Sequence, residues 1–186
     1  IYVTGSFWYQ AAPMAAALVT LDRIANTGYL ENLNALGQLL RDGLAERAKA
    51  NGEDVIIVTG DRDSYQLVED PHVRVLYNRR GVSDYVLYDE AGIAERTGVK
   101  PSDYVFYAAL RGDPSDNLPG VPGVGEKTAA KLVNKYHTVD ELFAHAADQT
   151  PKLAASLEAN EDQVRMNEQM MALVRDVDLP EDVTSL

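Results

Sequence analysis

The chain has 186 residues, enough for one medium domain or two small ones around a real core. It has no cysteine, which excludes disulfides, thiolate metal sites and a cysteine nucleophile and suits a cytoplasmic protein; no apolar run reaches membrane-spanning length and no signal-peptide pattern stands at the start. The net charge of −12 argues globally against a nucleic-acid partner, but residues 137–186 hold 11 acids against 3 bases and so carry much of it.

The chain opens directly on Ile1 and reads as a fragment of something longer. Pro13 starts a predicted helix over 13–26, tolerated there because a first-turn N–H has no helical partner. A second amphipathic helix is predicted over 30–50, with Leu33, Leu36, Leu40 and Leu44 on one side, stopped by Asn51-Gly52. Residues 54–59 form a short β-branched run typical of a parallel strand buried on both faces. A short helix is expected around 64–68, then two strands over 73–77 and 85–88 about the turn Asn78-Arg79-Arg80-Gly81, as a hairpin. Asp89 is predicted to cap a helix ending at Thr97-Gly98, and Ser102 one reaching Leu110. Helices then follow over 126–136, 138–146 and about 152–174. Strands first and helices later predict an α/β layer carrying a helical C-terminal subdomain.

Three constellations carry chemistry. At the end of the first strand, Asp61 and Asp63 stand two apart and project to one side, into the crevice where α/β proteins place their sites. A hard divalent ion would relieve two carboxylates this close; an Asx-turn with a helix cap is the other reading. Asp113 and Asp116, three apart in Gly-Asp-Pro-Ser-Asp-Asn, present the same pair of readings. Together the four acids form a group with only Arg62 and Arg111 nearby to compensate, a cost that metal would remove. The third is Gly120-Val121-Pro122-Gly123-Val124-Gly125 before Glu126-Lys127-Thr128. Its glycine spacing does not fit a P-loop. Glycines at a helix head admit a phosphate to backbone N–H groups, and Lys127, Lys131 and Lys135 make a basic stripe at every fourth position. Gly123, Gly125, Lys127, Thr128 and Lys131 are therefore the candidate DNA-binding residues, gripping phosphates without reading sequence. Three lysines would give a log–log salt slope of roughly −3.

Val58–Ser64, Arg80-Gly81-Val82-Ser83, Ala109–Asn117 and the glycine turn resemble the bacterial 5′-3′ exonucleases found at the front of DNA polymerase I and in flap endonucleases, over about residues 45–180. The resemblance implies a partial PIN-like (resolvase-like) parallel sheet followed by a helix–three-turn–helix, SAM-fold-like subdomain. It implies that Asp61, Asp63, Asp113 and Asp116 are catalytic and hold part of a Mg²⁺ or Mn²⁺ site of one or two ions, where water attacks a phosphodiester in line. It also implies K⁺ at the 120–125 turn, a double-stranded DNA partner with a 5′ end or flap, no membrane, and a fused or separate polymerase domain in the full-length parent. The family's leading metal-binding strand and its Glu-x-Asp-Asp cluster have no counterpart upstream of Glu53, where the acids Asp22, Glu31, Asp42 and Glu46 are scattered.

Residues 1–44 are similar instead to the C-terminal part of class III aminotransferases, through Thr4–Tyr9, Pro13–Leu18 and Leu33–Leu44, although the Schiff-base lysine has no counterpart. This predicts a head over 1–46, a partial nuclease core over 47–109 and a DNA-binding subdomain over 110–186, with a seam near 43–47. The expected function is a 5′ nuclease fragment that is impaired in catalysis. A non-catalytic DNA-binding module and a pyridoxal-phosphate aminotransferase fragment are the alternatives.

Overall fold

The computed structural model describes Lys49, Gly52, residues 54–80, 83–173 and Arg175, with Arg80 described in its backbone only. All of these fall in the second of two compact units, Asp42–Leu186. The predicted helix over 13–26, all but one residue of the helix over 30–50, Gly81 and Val82, and the aminotransferase-like stretch lie outside the described residues.

Three strands form one sheet in the order β1 (Val55–Thr59), β2 (Val73–Arg80), β3 (Asp84–Tyr88). β1 runs parallel to β2 with Val55 opposite Val73 and Thr59 opposite Tyr77. β2 and β3 make the expected hairpin, with Val75 opposite Tyr88, but Asn78–Arg80, expected in the turn, belong to β2 and pair with β3 across a slipped register. Only one face of β1 is covered. Ile57 is buried, whereas Ile56 and Val58 are 56% and 65% exposed, and Tyr85 and Leu87 on β3 are also exposed. The β-branched run predicted burial on both faces; alternation along the strand leaves one side of it open.

Between β1 and β2 lies a 3-10 helix, Arg62–Leu67, whose buried Tyr65 meets Tyr77, Tyr88 and Tyr104 edge-on at 5.3–5.4 Å between centroids. Edge-to-face contacts of this kind add specific attraction to plain burial, so the short helix is pinned under the sheet. Asp89 caps α1 (Glu90–Thr97) by accepting from Gly92 N–H at 2.7 Å, and Gly98 ends it at φ +81°. The next cap differs from expectation. Ser102 lies inside a 3-10 turn, Pro101–Asp103, that leads straight into α2 (Tyr104–Arg111), and neither start carries a side-chain cap. Proline at the first position pre-sets the turn and removes the need.

α2 is the centre of the unit, with Tyr104 and Phe106–Leu110 all buried. It packs against the first 3-10 helix, against α3 (Glu126–Tyr136) and against α6 (Glu161–Met171). α4 (Val139–Ala144), capped by Thr138 through Glu141 N–H at 3.1 Å, and α5 (Pro151–Glu158) complete the helical part. The single helix predicted over 152–174 is two. Its interruption falls at Ala159-Asn160, where Asn160 Nδ2 donates to the Ser156 carbonyl at 2.7 Å and competes with the helical ladder. α6 then buries Val164, Asn167 and Met171.

After α2 the chain makes a two-residue ribbon, β4 (Gly112–Asp113) against β5 (Leu118–Pro119). Its backbones touch where the glycines stand. A Cβ on Gly120 would lie 2.0 Å from the Arg111 carbonyl oxygen, and one on Gly112 would lie 2.2 Å from Gly120 N. Gly112 also holds φ +78°. Gly120 is thus required by the fold itself, a role its place in the glycine turn did not suggest.

Candidate functional site

The segments that follow β1 and α2 each carry a pair of carboxylates. Asp61 follows β1 and caps the 3-10 helix, accepting from Asp63 N–H at 3.0 Å while its own N–H donates to Thr59 Oγ1 at 3.0 Å. Asp63 occupies the first turn of that helix and is half-buried. Asp113 sits on β4 and accepts from Ser115 N–H at 2.9 Å and from the Ser115 hydroxyl. Asp116 closes the 3-10 turn Pro114–Asp116, after which Asn117 reverses the chain at φ 57°. Asp61 and Asp113 therefore cap, as the capping reading expected, and the charges of Asp61, Asp113 and Asp116 act on Asp63.

The electrostatics show that mutual action. Burial pushes the Asp63 carboxyl up to about 7, and the negative charges of Asp61, Asp116 and Asp113 push the same way while Arg111 opposes them. Asp116 is raised by burial and by Asp113 and Asp61. Asp113 goes the other way: burial would raise it, but the two Ser115 hydrogen bonds and Arg111 outweigh that and hold it low. Four hard oxygen donors that repel each other suit a hard divalent cation in kind. Among the described residues, however, no three Asp, Glu or His side chains are gathered tightly enough to hold an ion by themselves. The described part supplies an incomplete ligand set.

Arg111 joins this cluster to the glycine turn. Its guanidinium reaches Asp113 at 3.5 Å and Glu126 of α3 at 3.8 Å, donates from Nε to the Gly112 carbonyl at 3.1 Å, and lies over the Tyr107 ring at 5.5 Å. On the other side Arg62 Nε meets Tyr77 Oη at 3.4 Å. At the head of α3, Gly125 is the N-cap and no side chain caps the helix. Gly123, at φ +85°, and Gly125 both face open space where a Cβ would go. Lys127 and Lys131 are exposed and Thr128 is half-buried. Lys135, also exposed, donates to Tyr136 Oη at 2.7 Å and rests 4.6 Å from the centre of that ring. The three lysines thus keep the predicted spacing of four along α3.

Two buried amides escaped the sequence reading. Asn167, fully buried on α6, donates from Nδ2 to the carbonyls of Ala109 (3.0 Å) and Pro119 (2.9 Å). Gln66, in the same 3-10 helix as Asp63, donates to the Met171 carbonyl at 2.9 Å and accepts from Leu173 N–H at 3.0 Å. A signal did exist for Asn167, which stands on the helical face of Val164 and Met171 and interrupts an apolar stripe.

Comparison with known proteins agrees with this geometry. Residues 99–186 match the family model described as 5′-3′ exonuclease, C-terminal SAM fold. The chain is similar to DNA polymerase I of Mycobacterium tuberculosis, with 47% identity over 136 residues, covering 73% of this chain and 15% of the polymerase. It is similar to a 5′-3′ exonuclease of Streptomyces coelicolor, with 44% identity over 144 residues, covering 75% of this chain and 48% of that protein. In fold it resembles the bacteriophage T5 flap endonuclease, solved as a pseudo-enzyme-product complex with DNA and metal ions, at a TM-score of 0.58 and 22% identity over 72% of this chain and 49% of that one. The chain thus spans under half the length of these relatives. None of them is an aminotransferase, and the resemblance of residues 1–44 to that family gains no support from them.

Proposed function

We propose that the chain belongs to the 5′-3′ exonuclease family, as its sequence likeness supports, and that it is the DNA-gripping, partly metal-binding portion of a structure-dependent 5′ nuclease. One observation carries the reading: the charges of Asp61, Asp116 and Asp113, from two segments, act on Asp63, and Arg111 ties Asp113 to Glu126 at the open head of α3. Residues 47–109 are the α/β core and 110–186 the DNA-binding subdomain. The substrate is duplex DNA with a 5′ end or flap, and the partner is a polymerase domain, fused or separate.

Each part has a physical task. The backbone around Gly123 and Gly125 approaches a phosphate closely because no side chain intervenes, and the N-terminal end of α3 favours its charge. Lys127, Lys131 and Lys135 add sequence-independent attraction, with a salt slope of roughly −3. Asp61, Asp63, Asp113 and Asp116 hold one or two Mg²⁺ or Mn²⁺ ions. Such an ion, when bound, supplies an activated water and a counter-charge for the leaving oxygen. Asp63, raised to about 7 by burial and its neighbours, has to lose its proton for that role. The two Ser115 hydrogen bonds, with Arg111 beside them, keep Asp113 ionised, and Arg111 links it to Glu126 of α3. The carbonyls of the 120–125 turn offer oxygen ligands to K⁺.

Because no three acids are pre-gathered among the described residues, the chain by itself binds DNA but cleaves it weakly. Mn²⁺ titration followed by EPR tests the site: saturable binding that Asp113→Asn abolishes is expected, and identical binding by the two proteins would overturn the assignment.

A further inference from the structure

Each of the two carboxylate-bearing segments is fastened to α6. Asn167 grips the roots of the Asp113–Asp116 loop, one hydrogen bond to Ala109, four residues before Asp113, and one to Pro119, three residues after Asp116. Gln66, three residues after Asp63, closes a two-point clasp on the end of the same helix, at the Met171 carbonyl and Leu173 N–H. The Arg175 guanidinium adds a bond to the Gln66 carbonyl. Asn167 and Met171 lie one turn apart on α6, so both fastenings share a single rigid strut. Gln163 Nε2 donates to Asn167 Oδ1 at 2.8 Å, which fixes the amide with its NH₂ toward the two carbonyls. All four partners of Asn167 and Gln66 are backbone groups that an apolar side chain could not satisfy.

We propose that Gln66 and Asn167 are positioning residues that set the spacing between the Asp61–Asp63 and Asp113–Asp116 segments through α6. Burial alone would be met by leucine at either site, and an Asn and a Gln each making two bonds to distant backbone fit a registering role. Their contribution to metal binding rests on the functional reading given above; their contribution to spacing does not.

The test uses the full chain, which contains no cysteine and so accepts labels cleanly. Nitroxides at Gly60→Cys and Pro114→Cys, both exposed positions, report the distance between the two segments by EPR. Asn167→Leu and Gln66→Leu should broaden or shift that distribution. Leu157→Ala, a cavity at a fully buried site on α5, should lower thermal stability without doing so. A distribution unchanged in both amide variants, or broadened equally by Leu157→Ala, overturns the proposal. In the unlabelled chain the same two variants should weaken Mn²⁺ binding by about tenfold, as loss of groups that orient ligands does, with Leu157→Ala again the control. If the distance changes while Mn²⁺ binding is absent even in the wild type, the spacing role stands and the metal assignment falls. Should either leucine variant fail to fold, Asn167→Asp and Gln66→Glu, which keep the shape but lose the donating amide, serve in its place.

Discussion

Asp63→Asn should stabilise the protein, and increasingly so as the pH rises. The free aspartate ionises near 3.8, whereas the folded protein holds this carboxyl near 7. Folding therefore carries no penalty from Asp63 below about pH 3.8, a growing penalty between the two values, and the full one above about pH 7. Each pH unit in that window is worth about 1.4 kcal/mol, giving roughly 4 kcal/mol at the plateau, which residual solvent contact reduces to about 2–4 kcal/mol. Asparagine is neutral throughout and nearly isosteric. Urea unfolding of the wild type and Asp63→Asn, followed by far-ultraviolet circular dichroism in a chelator, should give curves within about 1 kcal/mol of each other near pH 4.5 and separated by about 2–4 kcal/mol near pH 8. Adding Mn²⁺ at about pH 8 should shrink the gap, because a bound cation favours the ionised wild-type carboxylate. A gap that stays constant from pH 4.5 to pH 8 would refute the claim that burial and three neighbouring acids act on Asp63.

Lys127→Ala should lower the magnitude of the log–log salt slope for duplex binding by about 1, measured by fluorescence anisotropy. Gly120→Ala should unfold or strongly destabilise the chain in thermal melts, because its methyl would sit 2.0 Å from the Arg111 carbonyl oxygen. Gly125→Ala meets open space and should keep its melting temperature within a few degrees while losing DNA affinity several-fold. Arg111→Met should lower DNA affinity and raise the concentration of Mn²⁺ needed for half-saturation, since it removes the link between Asp113 and Glu126.

Local chemistry made much of this unit legible. Asp89, Gly98 and Thr138 announced their helix ends because a capping bond or a left-handed residue is decided within four residues of sequence. The hairpin and α3 followed from periodicity for the same reason. The long helix predicted over 152–174 failed at Asn160, whose side chain competes for a carbonyl in a way that period counting does not register. Burial of β1 was half right, because the pattern of Ile56, Ile57 and Val58 is apolar throughout and cannot say which face finds a partner. At the site, the four aspartates and the glycine turn stood out by composition. What did not stand out was long-range: the Gly112–Gly120 backbone contact, the capture of Lys135 by Tyr136, and the two amides that reach across 58 and 105 residues of sequence.

On the proposed function, these acids and the head of α3 serve one nucleic-acid chemistry, with too few carboxylates gathered among the described residues for full activity. The decisive experiment incubates the chain with a labelled 5′-flap duplex in Mg²⁺ or Mn²⁺ and reads both binding and cleavage. Salt-sensitive binding that Lys127→Ala weakens is expected, with little or no cleavage. Absence of DNA binding at low salt, or vigorous cleavage that Asp61→Ala leaves intact, would contradict it.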